Sequence, residues 1–213
     1  DLHAINDAIN KRAGRKLLPS IGVSAGLIII VWTALATYRI IFAAIVALAM
    51  VLGVREMVGA LKKASIELSF PALSLASIGM ASAAWFAGVN GLAVATAIAL
   101  PWLLALLLPK GPENFIRNAS AYALTLIYIP FLAGFLILLA RPHNGLERVM
   151  TFVVLIACND TFAYLTGLAI GKHTMAPKIS PKKTWEGFIG SIIFTTIAGA
   201  VAFRFILDAE IWI

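Results

Sequence analysis

A single carboxylate lies in the middle of an otherwise uncharged apolar segment. Asp160 has eleven uncharged residues before it and ten after it in the block 149–170. A carboxylate inside a membrane is costly unless it is protonated, paired or bound to a cation. Asn159 and Thr161 add neutral oxygens, and hard oxygen donors suit Mg²⁺. The sequence therefore predicts that Asp160 binds a metal ion, with hydrogen bonding to local backbone as the structural alternative.

A second group of polar residues follows the same block, in the segment 171–186. Four lysines and one histidine lie within twelve residues that hold no acid, namely Lys172, His173, Lys178, Lys182 and Lys183. Ser180 and Thr184 add hydroxyl donors, and lysine is a compact cation for phosphate oxygens. We expect Pro181 to open the next helix, whose N-terminal N–H groups also favour anions. The composition predicts a phosphate-binding loop, although positive charge beside a membrane also has a purely topological explanation.

These residues need elements that hold them at a membrane. The chain has 213 residues, of which 61% are hydrophobic and 13% charged, whereas soluble domains carry about 25% charged residues. Seven apolar blocks come close to the length of about 20 residues that a spanning helix requires. They cover residues 17–38, 40–61, 68–89, 91–109, 119–140, 149–170 and 187–207. We predict an all-α, polytopic integral membrane bundle of about seven helices over 17–213, after a cytoplasmic arm at 1–16.

Basic residues are distributed unevenly between the two sides of this predicted bundle. Thirteen of the seventeen Lys and Arg residues fall on the side of the N-terminus and of segment 171–186. Since cytoplasmic loops carry such an excess, we expect 171–186 to lie in the cytoplasm. The expected anionic partners are lipid head groups or a phosphorylated substrate rather than nucleic acid.

Prolines and glycines are expected to shape individual helices. Pro101 and Pro130 each remove a backbone hydrogen bond inside an apolar block and should kink its helix. Gly22/Gly26 and Gly167/Gly171 have a spacing that lets two helix backbones approach closely.

The order of the residues in the segment 159–190 is more informative than its composition. Its motifs run Asn159-Asp160-Thr161, Ala163-Tyr164, Gly167, Gly171-Lys172-His173, Ala176-Pro177-Lys178-Ile179-Ser180-Pro181 and Lys183-Thr184-Trp185-Glu186-Gly187-Phe188-Ile189-Gly190. Over these 32 residues the chain closely resembles the phosphatidate cytidylyltransferase, or CDP-diacylglycerol synthase, family. The run Ser-Pro-x-Lys-Thr-Trp-Glu-Gly is highly specific for it.

The resemblance implies a membrane enzyme that joins CTP and phosphatidic acid to give CDP-diacylglycerol and pyrophosphate. It also implies Mg²⁺, with or without a second cation, and a homodimer in the bacterial inner membrane whose active site faces the cytoplasm. Asp160 then becomes the metal ligand and, together with Lys183, a catalytic residue. The implied substrate-binding residues are Asn159, Lys172, His173, Lys178, Ser180, Lys182, Thr184 and Glu186.

One departure from the family pattern concerns acidic residues. Family members carry a C-terminal signature with Lys-Asp, Pro-Gly-His-Gly-Gly and Asp-Arg-x-Asp runs, which supplies further metal-binding acids. No such run occurs in residues 1–213. We therefore expect a fragment that holds part of a catalytic site, is inactive by itself and is completed by a downstream segment.

Two other functions share an acid within a span and lysines beside it. A CTP-dependent lipid kinase would transfer the γ-phosphoryl group to a polyprenol or phytol alcohol. A transporter of anionic solutes would place the lysines at the mouth of a cavity. The run from Ser180 to Gly187 favours the cytidylyltransferase.

Overall fold

The computed structural model describes residues 29–110, 114–178 and 180–206. The predicted arm at 1–16, the pair Gly22/Gly26 and the first part of the first predicted span lie outside these residues. Residues 29–37 are helical. The described residues form two compact units, one within 1–138 and the other within 139–213.

Helices dominate the described residues beyond position 38. The elements are α1 (Arg39–Lys63), α2 (Phe70–Ala105), α3 (Phe115–Leu126), α4 (Leu132–Ala140), α5 (Gly145–Ile170), β1 (Thr174–Ala176), β2 (Ser180–Thr184) and α6 (Trp185–Phe205). A 3-10 turn, Leu108–Lys110, follows α2, and a π-helical segment, Ile127–Phe131, joins α3 to α4. The fold is therefore all-α apart from one short hairpin, as predicted.

Five helical stretches of the described residues are long and apolar enough to cross a membrane. They are Arg39–Lys63, Phe70–Ala105, Phe115–Ala140, Gly145–Ile170 and Trp185–Phe205. The chain is thus an integral membrane protein. The predicted count of seven spans is not confirmed, because the first predicted span is only partly described and α2 combines two others.

Helix α2 is divided at Gly88. A straight helix of 36 residues would be about 54 Å long, well beyond a hydrocarbon core of about 30 Å. Gly88 has φ 68° and ψ −149°, a conformation that essentially only glycine adopts. A Cβ placed on Gly91 would overlap the Ala83 carbonyl oxygen and lie 2.5 Å from the Ala87 Cβ. In a straight helix, residues 83 and 91 would be about 12 Å apart along the axis, so the chain bends back sharply at Gly88.

A shallow cavity shows that the two halves of α2 lie side by side. Its volume is about 340 Å³. Its walls come from the first half, with Leu75, Ala76, Gly79 and Met80, and from the second half, with Ala95, Ile98, Ala99 and Trp102. The halves therefore pack antiparallel, and they coincide with the predicted blocks 68–89 and 91–109.

Packing around α3 organises the first unit. The Tyr122 side chain is buried, and its hydroxyl oxygen accepts a hydrogen bond of 2.7 Å from the Ser69 backbone N–H at the start of α2. Pro130 lies in the π-helical segment, where the expected distortion is found. By contrast, α2 keeps helical φ/ψ through Pro101.

The conformation of Gly88 makes a direct stability prediction. Gly88→Ala places a Cβ in a glycine-only region of φ/ψ space, and we expect it to lower the free energy of unfolding by about 1–3 kcal/mol. Gly79→Ala is the matched control, because Gly79 is helical and a Cβ there meets no atom within 4 Å. Denaturant unfolding in detergent micelles measures both variants. Equal stability of the two would contradict a required bend at Gly88.

Candidate active site

Helices α5 and α6 form a closely packed antiparallel pair. The rings of Phe162 and Phe194 stack with centroids 4.3 Å apart and planes 14° from parallel. Further along the pair, a Cβ on Gly199 would be in ordinary contact with Leu155, 3.6 Å away. These contacts join the two helices through apolar side chains in this region.

Toward the hairpin, glycines let the two backbones approach more closely. A Cβ on Gly187 would lie 2.6 Å from the Ala163 carbonyl oxygen and 3.3 Å from the Gly167 Cα. A Cβ on Gly190 would lie 2.6 Å from the Thr166 Cβ. The close approach expected at Gly167 is therefore present. Gly187 and Gly190 were not predicted as packing positions. The signal in the sequence was that α6 has glycines that can face Gly167 of α5.

The connection between the helices is a β-hairpin rather than an irregular loop. Strands β1 and β2 pair antiparallel, with Thr174 opposite Thr184 and Ala176 opposite Ser180, and the register is irregular between these pairs. The expectation that Pro181 opens the next helix is wrong, because Pro181 belongs to β2 and α6 begins at Trp185. Strand pairing holds the backbone extended until Thr184.

Thr184 ends the hairpin and caps α6. Its backbone is extended, and its Oγ1 accepts a 3.2 Å hydrogen bond from the Gly187 N–H. A hydroxyl in this position satisfies one of the N–H groups that a helix leaves unpaired at its start. A Cβ on Gly171 would lie 2.8 Å from the same oxygen. The cap therefore fits only because residue 171 has no side chain.

Glu186 holds the base of the hairpin. Its Oε2 accepts hydrogen bonds from the backbone N–H groups of Lys172, at 3.2 Å, and His173, at 3.3 Å. Its Oε1 lies 2.6 Å from the His173 Nδ1. The Glu186 side chain is 22% exposed and that of His173 is 77% exposed. These hydrogen bonds join the first turn of α6 to residues 172 and 173, which follow α5. Contact of the Glu186 and His173 side chains with substrate remains a prediction.

The hairpin presents positive charge to its surroundings. Lys172, Lys178 and Lys183 are exposed, and in the described part of the chain none of them forms an ion pair. The one acid of the segment, Glu186, is engaged with His173 and with backbone N–H groups instead. Three lysine ammonium groups therefore remain available for a phosphorylated ligand.

Asp160 lies on α5, well before the hairpin. By helix rise it is about 15 Å from the end of α5, and its side chain is exposed, as is that of Asn159. Within the described ranges, no group of three or more His, Cys, Asp and Glu side chains could hold a metal ion. Asp160 offers one hard oxygen ligand, and its role in binding Mg²⁺ remains a prediction. No ion pair joins Asp160 to Lys172, Lys178 or Lys183.

The predicted site residues thus fall into three sets. Asn159 and Asp160 lie together on α5. Thr184, Glu186 and His173 support the hairpin by internal hydrogen bonds. The phosphate-binding candidates on the hairpin and at its base are Lys172, Lys178, Ser180, Lys182 and Lys183. The arrangement is a cationic hairpin at one end of a membrane-spanning helix pair that carries an acid within the span.

This combination defines a membrane-embedded protein with a candidate site for phosphorylated ligands. The model of the cytidylyltransferase family matches residues 20–213. The chain therefore belongs to the cytidylyltransferase family.

Relatives with established names agree with this membership. The chain is 31% identical, over 95% of its length, to a phosphatidate cytidylyltransferase of Mycobacterium bovis, and it covers 70% of that protein. It is equally similar to the phosphatidate cytidylyltransferase of Mycobacterium tuberculosis strain CDC 1551, of which it covers 66%. The phosphatidate cytidylyltransferase of Haemophilus influenzae is 38% identical over 49% of this chain and 40% of its own length. No solved structure matches the chain.

The role of Glu186 can be tested by amide hydrogen exchange. Glu186→Ala removes the acceptor for the N–H groups of Lys172 and His173, so we expect both amides to exchange several-fold faster. Glu147→Ala, in the first turn of α5, is the matched control and should leave both rates unchanged. Unaltered protection in Glu186→Ala would show that strand pairing alone fixes the hairpin.

Proposed function

We propose that the protein transfers the cytidylyl group of CTP to phosphatidic acid, giving CDP-diacylglycerol and pyrophosphate. The observation that carries this proposal is the hairpin at the end of the α5–α6 pair, whose exposed Lys172, Lys178 and Lys183 form no ion pair with any residue that the structure describes. Membership of the cytidylyltransferase family supports it. Membership of this family also disfavours the lipid kinase and the transporter.

The reaction is a displacement at phosphorus. A phosphate oxygen of phosphatidic acid attacks the α-phosphorus of CTP and forms a new P–O bond. The bond from the α-phosphorus to the oxygen that bridges to the β-phosphate breaks, and pyrophosphate leaves with that electron pair. Phosphatidic acid is already an anion at neutral pH, so its attack requires no general base. The difficulty lies in bringing two anions together and stabilising the leaving group.

The hairpin lysines address both difficulties. Lys172 and Lys178 attract the phosphates of nucleotide and lipid, which lowers the repulsion between them. Lys183 stabilises charge that develops on the pyrophosphate as the bond breaks, and it is therefore the proposed catalytic lysine. Ser180, Lys182 and the hydroxyl hydrogen of Thr184 orient the phosphates. The Thr184 oxygen can cap α6 at the same time, because a hydroxyl both donates and accepts.

Asp160 is the proposed ligand for Mg²⁺. When bound, the ion supplies positive charge to the nucleotide phosphates. Adjacent residues of a helix project about 100° apart, so Asn159 faces another direction and is proposed to bind substrate instead. Further ligands come from substrate, water or residues beyond those described.

The membrane arrangement is part of the proposal. Seven spans, with the hairpin in the cytoplasm, let phosphatidic acid stay in the leaflet while CTP arrives from water. The excess of Lys and Arg on the hairpin side supports this orientation, and the bacterial relatives support an inner-membrane location. We further propose that the protein acts as a homodimer.

Two radiolabels distinguish the candidate functions in the purified complete gene product. With phosphatidic acid and CTP labelled at the α-phosphate, the proposed reaction moves label into lipid. With CTP labelled at the γ-phosphate, the label leaves in pyrophosphate and none enters lipid. When a polyprenol replaces phosphatidic acid, transfer of the γ-label to it would instead establish a kinase, and transfer of neither label would contradict the proposal.

Variants at the site separate metal binding from phosphate binding. Asp160→Asn keeps size but removes the charge, so turnover should fall by about 100-fold or more while the protein stays folded. Lys183→Ala should lower kcat/KM by about 10–100-fold through lost stabilisation of the pyrophosphate. Lys63→Ala removes an exposed lysine of α1 and should act like the parent protein. Normal turnover and unchanged Mg²⁺ dependence in Asp160→Asn would exclude the metal role.

A further inference from the structure

A cavity lies at the opposite end of the α5–α6 pair, away from the hairpin. Its volume is about 490 Å³, within the usual range of about 300–1,000 Å³ for ligand sites. Its lining consists of Leu139, Asn144, Arg148, Thr151, Phe152, Leu155 and Phe203. All of these residues belong to the second compact unit. None of them is a member of the proposed active site.

Thr151 supplies the first polar feature of this cavity. The residue is only 7% exposed, and its Oγ1 has no hydrogen-bond partner in the described part of the chain. Helical hydroxyls elsewhere donate to the carbonyl four residues earlier, as in Ser77 to Leu73, Thr96 to Leu92, Thr125 to Ala121 and Thr196 to Ile192. A buried hydroxyl without a partner is costly. An acceptor oxygen of a ligand in the cavity would satisfy Thr151.

Arg148 supplies the second polar feature. Its Nε donates a 2.8 Å hydrogen bond to the Asn144 Oδ1. This bond uses one of the five N–H groups of the guanidinium and orients its plane. Guanidinium is well suited to phosphate, because two N–H groups can bind two oxygens together. Arg148 and Thr151 are three residues apart, and residues with this spacing are neighbours on one face of a helix.

The cavity changes from polar to apolar with depth. Asn144 and Arg148 lie at the start of α5, whereas Leu155 is about 15 Å along the helix from Gly145. Phe152 and Phe203 complete the apolar part of the wall. A phospholipid has the same order, with its phosphate at the membrane surface and its acyl chains below. A free phosphate ion would leave the apolar walls without a partner.

The exposed Arg148 supplies the one positive charge in the cavity lining, and no acid lines the cavity among the described residues. We propose that the cavity binds an anionic phospholipid, whose phosphate contacts Arg148 and Thr151 and whose acyl chain lies against Phe152, Leu155 and Phe203. This site belongs to the membrane face opposite the hairpin and does not depend on the proposed reaction.

Lipid retention tests the proposal directly. The complete gene product is placed in nanodiscs with equal amounts of phosphatidylglycerol and phosphatidylcholine, and native mass spectrometry then counts the lipids retained after extraction. Phosphatidylglycerol is not the substrate of the proposed reaction, so the result is independent of the active site. The parent protein should retain it preferentially. Arg148→Gln and Thr151→Val should each lower this preference by about fivefold or more.

Three variants serve as controls. Thr195→Val removes another buried hydroxyl that has no partner among the described residues but does not line the cavity. Arg204→Gln removes a positive charge from the same end of α6. Thr151→Ser keeps the hydroxyl, so retention by it together with loss in Thr151→Val excludes misfolding as the cause. All three should behave like the parent protein.

Three results would overturn the proposal. One is equal preference for phosphatidylglycerol in the parent, Arg148→Gln and Thr151→Val. Another is a loss of this preference in Thr195→Val or Arg204→Gln that equals the loss in Arg148→Gln and Thr151→Val, which would reveal a general effect of packing or charge. The third is displacement of the lipid by inorganic phosphate, which would show a site for free anions.

Discussion

The close approach of α5 and α6 at their glycines is the constraint on which the rest of the site depends. Gly167 and Gly187 bring the two backbones together, and Gly190 accommodates the Thr166 side chain. Without a hydrophobic driving force between helices in lipid, such close contact is the main source of stable pairing. Because the helices meet this closely, the fourteen-residue connection from Gly171 to Thr184 leaves and returns at adjacent points. A two-stranded antiparallel hairpin suits this connection, because its two ends lie side by side.

The internal bonds of the hairpin have an electrostatic consequence. Glu186 is the acid nearest to the lysines in sequence, yet it binds His173 and two backbone N–H groups. Its charge therefore stabilises the fold of the hairpin and leaves the lysines available for phosphate. At its other end the same helix pair carries Arg148 and the Thr151 hydroxyl, which has no hydrogen-bond partner among the described residues. The two proposed anion sites thus lie at opposite ends of one helix pair.

The sequence predicted the helical class, the family and the lysine-rich segment, because each depends on local composition or on a specific run of residues. It also predicted separate spans at 68–89 and 91–109, which correspond to the two halves of α2, but it did not identify Gly88 as the residue where the chain turns, since one glycine among apolar residues carries no distinctive pattern. It placed the start of α6 four residues early, at Pro181, because local proline preference was overridden by strand pairing with β1. The pairing of His173 with Glu186 spans 13 positions and depends on the hairpin. No local sequence pattern therefore predicts it.

A double-mutant cycle between Thr166 and Gly190 tests most directly whether the glycine contact sets the site. Gly190→Ala should lower the free energy of unfolding by about 1–3 kcal/mol, since its Cβ overlaps Thr166, and it should lower CTP turnover as well. Thr166→Gly removes the obstructing side chain, so the double variant should recover both stability and turnover, with a coupling energy of about 0.5–3 kcal/mol. Strictly additive losses in the double variant would contradict the account, because they would mean that α5 and α6 do not meet at this contact.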